Sequence, residues 1–262
     1  MFAILFSFFA IVPFLWMIST SLKSSGALLA VPIEWIPKEP TLQAYRKLFA
    51  LDGMFRSIMN SVLVTSGSVL IALVSSSMAA FAFSKIQFKG SSMLFLLFLA
   101  SMMIPSQVIF IPLYLIMNEL HLTNTLFALI VPCAFKAFAI FMLRQQMMGI
   151  GNAYLDAAAI DGAGLWKSFV LIVLPMCKAS LITLAIILGM DAWNDYLLPL
   201  VLMTDRDHFT LPIILNSLSG QFKTSFDLLM AGSLISMIPL LLVYAFSQRY
   251  FSTGLQVGGI KG

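Results

Sequence analysis

GNAYLDAAAIDGAGLWKSFVLIVLP, residues Gly151 to Pro175, is the one long polar-tinged interval in the second half of the chain. It opens on a loop-former, Gly151-Asn152. An alanine-rich run of high helix propensity follows, Asp156-Ala157-Ala158-Ala159. Asp156 stands in the early turns, where the positive end of a helix favours an acid. Asp161-Gly162 is a stop signal, because glycine enters the left-handed cap conformation without steric penalty. A second short amphipathic segment then leads to Pro175, which marks entry into an apolar stretch. The spacing predicts a short capped helix outside any bilayer. Its small alanines leave a flat face that another protein can approach closely, and a plain surface helix in a loop fits the same composition.

Outward from this interval the chain is apolar on both sides. Of 262 residues, 60% are hydrophobic and 10% charged, with a mean hydropathy of +0.99. Soluble domains carry about 25% charged residues, so the composition predicts an all-α polytopic membrane protein. The net charge of +4 is mild. It suits loops beside anionic lipid head groups and gives no reason to expect nucleic acid. Cys133 and Cys177 are expected at different depths, as free thiols. The N-terminus lacks a basic lead and a small-residue cleavage site, so it reads as a retained span with a short or missing cytoplasmic lead-in.

Six spans are predicted, forming a single transmembrane domain over 1–262 with its core bundle at 57–250. They are Phe2 to Leu22, a span within Ser57 to Ser84, Gly90 to Asn118, Leu126 to Leu143, Ala179 to Leu202, and Leu228 to Gln248. The 23–56 interval is polar, with a short interfacial helix expected at Thr41 to Phe49 from the helical spacing of Leu42, Tyr45 and Leu48-Phe49. In the second span Ser66, Gly67, Ser68 and Ser75 to Ser77 suit close helix packing. Pro105 and Pro112 are expected to kink the third. Glu119 to Thr125 forms a short turn holding His121. The loop Met203 to Asp227 holds His208, and 251–262 is a glycine-rich tail.

Six spans place both termini on one side. The compact basic segments are Lys85 to Lys89, the 151–175 loop and the tail, and they favour the cytoplasm for that side. The 23–56 loop is then extracytoplasmic.

No Gly-Lys dipeptide occurs, so the chain cannot cradle nucleotide by a Walker A loop. No catalytic set and no metal site are found, since the two histidines lie in different loops without a cysteine or second histidine beside them. Asp191, Asn194 and Asp195 share one helix face beside Trp193. Ionisable groups within a span are costly and face a cavity, a pore or a partner. Lys136, alone in the fourth span, is the candidate partner for either acid. The cluster lines a translocation path, with the indole stacking on a sugar ring, or it pins the fifth span to its neighbours.

The stretch Asp156-Ala157-Ala158, Ala159-Ile160-Asp161, Gly162-Ala163 and Pro175 resembles the EAA loop of bacterial ABC-importer permeases, with Asp in place of the leading Glu. Other words of the sugar-importer branch occur in order. They are Asn60-Ser61, Phe88-Lys89-Gly90, Ile104-Pro105, Ile111-Pro112-Leu113, Asn124-Thr125, Leu143-Arg144-Gln145, Trp193-Asn194-Asp195, Thr210-Leu211-Pro212, and Gly254-Leu255 to Lys261-Gly262. Together they make the chain similar to MalG-like permease subunits of carbohydrate importers, in the bacterial inner membrane. The resemblance implies a type I, MetI-like permease fold of six transmembrane helices. It further implies a MalF-like sister permease, two ABC ATPase subunits carrying ATP and Mg, and an extracytoplasmic solute-binding protein. Asp156, Ala157, Ala158, Asp161, Gly162 and Ala163 would dock on the ATPase, and the permease itself would hold no cofactor. The alternative is a secondary carrier driven by an ion gradient through Lys136, Asp191 and Asp195.

Overall fold

A computed structural model describes residues 2–24, 34–219 and 225–254, without the side chains of 2–8 and 247–254. Its elements are helices: α1 Phe2–Ser21, α2 Gln43–Phe49, α3 Met54–Lys85, α4 Ser91–Ser101, α5 Ser106–Glu119, α6 Phe127–Ile130, α7 Ala137–Met148, α8 Ala153–Ile160, α9 Leu165–Ser168, α10 Leu174–Met176, α11 Lys178–Asn194, α12 Leu197–Leu202, α13 Leu211–Ser217 and α14 Phe226–Gly254. A 3₁₀ turn, Val131–Ala134, follows α6, and a π turn, Phe169–Val173, joins α9 to α10.

The apolar segments fall where six spans are expected. Met54–Lys85, Phe127–Met148 and Phe226–Phe246 are each long and apolar enough to cross a membrane, and Phe9–Ser21 is a shorter apolar helix. The remaining two are bent pairs: Ser91–Ser101 with Ser106–Glu119 at 102°, and Leu165–Met176 with Lys178–Asn194 at 76°. At 32 residues, α3 is about 48 Å long, well beyond a ~30 Å hydrocarbon layer.

Four expectations are corrected in detail. The third apolar stretch is not a kinked rod but two helices. Pro105 caps α5 in an extended conformation, at φ −57° and ψ 133°, whereas Pro112 is absorbed inside α5. Residues 165–176 are not the outer end of a loop: Phe169 and Val173 are buried in the helical core. The fifth stretch ends at Asn194 and restarts at Leu197. Finally, α14 continues to Gly254 rather than giving way to a tail at 251. Tail residues 255–262, with Lys261, lie outside the described residues, as do 25–33 and 220–224 of the two long loops.

The chain divides into two compact units, with boundaries inside α3, after α12 and inside α14. The first unit comprises Met1–Ser61 and Met203–Val243. Here α2 buries Ala44 and Leu48 and leaves Leu42 and Phe49 exposed, and the Tyr45 and Ser21 hydroxyls are hydrogen-bonded at 2.9 Å. Lys23, expected in a polar loop, is buried under Trp16 and donates to the Glu34 carbonyl. Trp16 meets Trp35 edge to face at 5.0 Å. The start of α3 grips the later loop. Asn60 Nδ2 donates to the carbonyls of Asp207 and Phe209 at 2.9 and 3.0 Å, and the Leu211 N–H donates to Ser61 Oγ at 2.8 Å. Arg56 pairs with Asp207 at the exposed rim. His208 pairs with Asp205, whose carboxylate caps the turn Arg206–His208.

The second unit comprises Val62–Leu202 and Tyr244–Gly262. Its core gathers Ala72, Ala80 and Phe81 of α3, Leu143 and Met147 of α7, Phe169, Val173 and Cys177 around the bend, and Leu184 and Leu188 of α11. Where lipid replaces water, close packing of such side chains holds helices together. Small residues allow that approach, because a Cβ on Gly67 would stand 2.8 Å from Ile130 Cδ1. Cys133 and Cys177 are free thiols, the second buried.

His121 closes a helix end. It ends α5 in the left-handed conformation at φ 54°. Its N–H reaches the Asn118 carbonyl at 3.0 Å, and the next N–H, of Leu122, reaches that of Met117 at 2.8 Å. This is the two-bond Schellman closure of a helix.

Candidate functional site

Two regions carry the residues singled out in the sequence, both within the second unit. The first is α8. Its N-terminal turn closes by bonds from Leu155 and Asp156 N–H to the Asn152 carbonyl, at 2.8 and 2.9 Å. Its C-terminus repeats the closure seen at His121. Gly162 N–H donates to Ala159 O at 3.1 Å, and Ala163 N–H to Ala158 O at 2.8 Å, with Gly162 at φ +79°. Nothing lies within 4 Å of a Cβ built on Gly162, so conformation and not space demands glycine there. Ala158 is buried, Ala163 half-buried, and Asp156, Ala157, Asp161 and Gly162 are exposed. Tyr154, Ile160, Leu165 and Trp166 present more than half of their area, so the exposed surface of this segment is largely apolar.

In the sequence Lys85 is only part of a basic loop. It is the last residue of α3, and its ammonium donates to Ile150 O at 2.5 Å and to Asn152 Oδ1 at 3.1 Å. The signal for it was a lone cation ending a 28-residue run without charge, Ser57 to Ser84. Arg144 fastens the same end of the bundle, with Nε on the Phe83 carbonyl at 3.2 Å and its guanidinium 4.1 Å above the Phe95 ring. Lys85, Arg144, Asn152, Asp156 and Ala159 line a cleft of about 590 Å³ beside α8.

The second region lies where two helices lose their winding. Between the 3₁₀ turn and α7, Phe135 leaves the helical conformation (φ −120°, ψ 68°) and Lys136 is extended (φ −94°, ψ 95°), with Pro132 upstream. Between α11 and α12, Asp195 is extended at φ −68°, ψ 119°. Side chains satisfy the groups these breaks set free. Ser75 Oγ donates to Ala134 O at 2.5 Å, and Leu198 N–H donates to Asp195 Oδ1 at 3.3 Å. Lys136 Nζ pairs with Asp191 Oδ2 at 3.4 Å. Of the two acids offered as its partner, Asp191 is therefore the one in direct contact.

Lys136, Asp191, Asn194 and Asp195 come together along an open groove of about 800 Å³. Asn194 turns its amide back to Met190 O at 2.8 Å. Trp193 departs from expectation. Its indole is buried at 5% exposure, on the side of α11 opposite the exposed acid, and does not stand ready to stack on a sugar. Among the described residues no three His, Cys, Asp or Glu side chains are grouped to hold a metal ion.

Residues 71–257 match the family model of the binding-protein-dependent transport system inner membrane component. The arabinooligosaccharides transport system permease protein AraQ of Halalkalibacterium halodurans is 37% identical over 98% of this chain and 93% of its own length. Its namesake in Bacillus subtilis is 31% identical over 100% and 94%. The crystal structure of a bacterial ABC transporter involved in the import of the acidic polysaccharide alginate contains a similar chain. The TM-score is 0.84 at 23% identity, over 95% of this chain and 94% of that one.

Proposed function

This chain belongs to the family of binding-protein-dependent transport system inner membrane components, and on that premise we propose that it is a permease subunit of an ATP-driven importer of oligosaccharides. In this reading it forms half of the translocation pathway beside a sister permease. An extracytoplasmic binding protein delivers the solute, and ATP and Mg are handled by two ATPase subunits. Both termini and α8 face the cytoplasm.

The observation that carries the reading is the construction of α8. It is a two-turn helix closed at its far end by Gly162, exposing apolar side chains, and tied at its base to α3 through Lys85. A short rigid helix of this kind transmits displacement without bending. Asp156, Ala157 and Ala158 then seat in the ATPase, with Asp161, Gly162 and Ala163 setting the angle of the chain leaving it. Closed and open ATPase states favour different bundle arrangements, from which alternating access follows. The polar groove of Lys136, Asp191, Asn194 and Asp195 faces the pathway.

Purification of the tagged chain from its native membrane in mild detergent tests this. An ATPase and a second permease should come with it, and a cysteine placed at Ala157 should crosslink to the ATPase. Recovery of the chain alone, with uptake surviving ATP depletion, would overturn the reading.

A further inference from the structure

Resting on that transport reading, we infer that the small cavity bounded by α3, α6, α11 and α12 is a subsite for one hydroxymethyl arm of the permeating glycoside. The cavity measures about 100 Å³. The adjoining open groove is about eight times larger. The cavity suits an arm of one carbon and one hydroxyl, with the sugar ring outside it in the groove. Five polar side chains border it: Ser68, Cys133, Lys136, Asp191 and Asp195. Leu129, Leu188 and Leu198 supply apolar wall.

Ser68 is the independent observation. On α3, Ser66, Ser75 and Ser77 spend their hydroxyls on backbone carbonyls. The hydroxyls of Thr65, Ser68 and Ser76 are buried with no partner among the described residues, and of these three only Ser68 borders the cavity. Ser68 is 4% exposed. A buried hydroxyl without a partner is unfavourable and calls for an explanation. A ligand hydroxyl supplies one.

The chemistry around the cavity is that of a hydroxyl and not of an ion. An ammonium donates, two carboxylates accept, and a serine hydroxyl does both. A cation would meet Lys136, and an anion would meet Asp191 and Asp195. A sugar hydroxyl both donates and accepts, and its methylene fits the leucine wall. The cavity shares Lys136, Leu188, Asp191 and Asp195 with the open groove, so a ring held in the groove can direct its arm inward.

Cys133 is a resident reporter, since it borders the cavity as a free thiol. The test uses the complete transporter in nanodiscs with its binding protein, arabinotriose as probe, and methyl methanethiosulfonate as reagent. Modification of Cys133 is followed by peptide mass spectrometry, separately from Cys177. With arabinotriose about tenfold above half-saturation, modification should slow about tenfold, in proportion to occupancy. In Ser68→Ala, which removes the hydroxyl and adds no bulk, the slowing should shrink to below about twofold; the yield of assembled complex is the control.

An unchanged Cys133 rate in a complex that imports arabinotriose overturns the subsite and leaves the transport reading standing. So does a Cys133 that the reagent never reaches. A complex that imports none of a panel of hydroxymethyl-bearing oligosaccharides overturns both.

Discussion

The Lys85 ammonium, at the end of α3, donates to the carboxamide oxygen of Asn152, at the start of α8, across 3.1 Å, and to the Ile150 carbonyl beside it. The base of the projecting helix is therefore held by a helix that precedes it by more than sixty residues. We predict that Lys85→Met, which keeps the aliphatic stem and removes the donors, loosens α8. Amide exchange over 151–163 should accelerate about ten- to a hundredfold, because hydrogen bonds to a charged donor contribute about 1.5–3 kcal/mol. Uptake should fall while the ATPase still binds, and Lys85→Arg should recover part of it. Unchanged exchange in Lys85→Met would assign α8's order to its own caps.

Gly162 sits at φ +79° with no neighbour near its absent Cβ. Gly162→Val should cost about 1–3 kcal/mol of local strain and unseat the last turn of α8. Gly162→Asn, a residue that tolerates this conformation, should be markedly milder. The expected readout is coupling: uptake per ATP hydrolysed drops several-fold in the valine variant and stays near wild type in the asparagine variant. Equal effects from both would mean that bulk and not backbone conformation matters.

Buried and exposed polar contacts at the start of α3 should differ in worth. Asn60 bonds two loop carbonyls from a buried position, and Asn60→Ala should lower stability by about 1–3 kcal/mol, read as a lower melting temperature of the purified complex. Arg56 and Asp207 pair at side-chain exposures of 58% and 62%, so Arg56→Ala should cost under about 1 kcal/mol. Reversal of that order would place the clamp on the ion pair.

The Lys136–Asp191 pair is also exposed, at 36% and 70%, so it contributes little to folding. Lys136→Met and Asp191→Asn should leave the melting temperature almost unchanged while each lowers the uptake rate. The double variant should be no worse than the poorer single one if the two act as a unit. A large loss of stability in either single variant would instead make the pair a structural pin.

Much of this architecture is legible in the residues. Six apolar stretches, the stop at Asp161-Gly162, the serine-lined face of α3 and the Lys136 pairing follow from hydropathy, backbone chemistry and the cost of lone charges. The breaks do not. Hydropathy records how apolar a stretch is and not which way it runs, so the 102° turn before Ser106 and the 76° turn at Cys177 leave no trace in it. Pro105 and Pro112 are the same residue seven positions apart, yet one caps a helix and the other rides inside it. The difference lies in what surrounds each. Trp193 departs from its expected place for a related reason. Adjacent residues on a helix point about 100° apart, and only tertiary packing decides which of them faces inward.

The π turn at Phe169–Val173 holds one residue more than an ordinary helical turn would. That surplus sets the phase of everything upstream of it. Deleting a single residue there would let the strand of winding tighten and swing Leu165, Trp166 and the whole of α8 round by about 100° relative to Val173, with no change in composition or hydropathy. The compass bearing of the projecting helix is thus stored in one extra peptide unit, between the buried Phe169 and Val173.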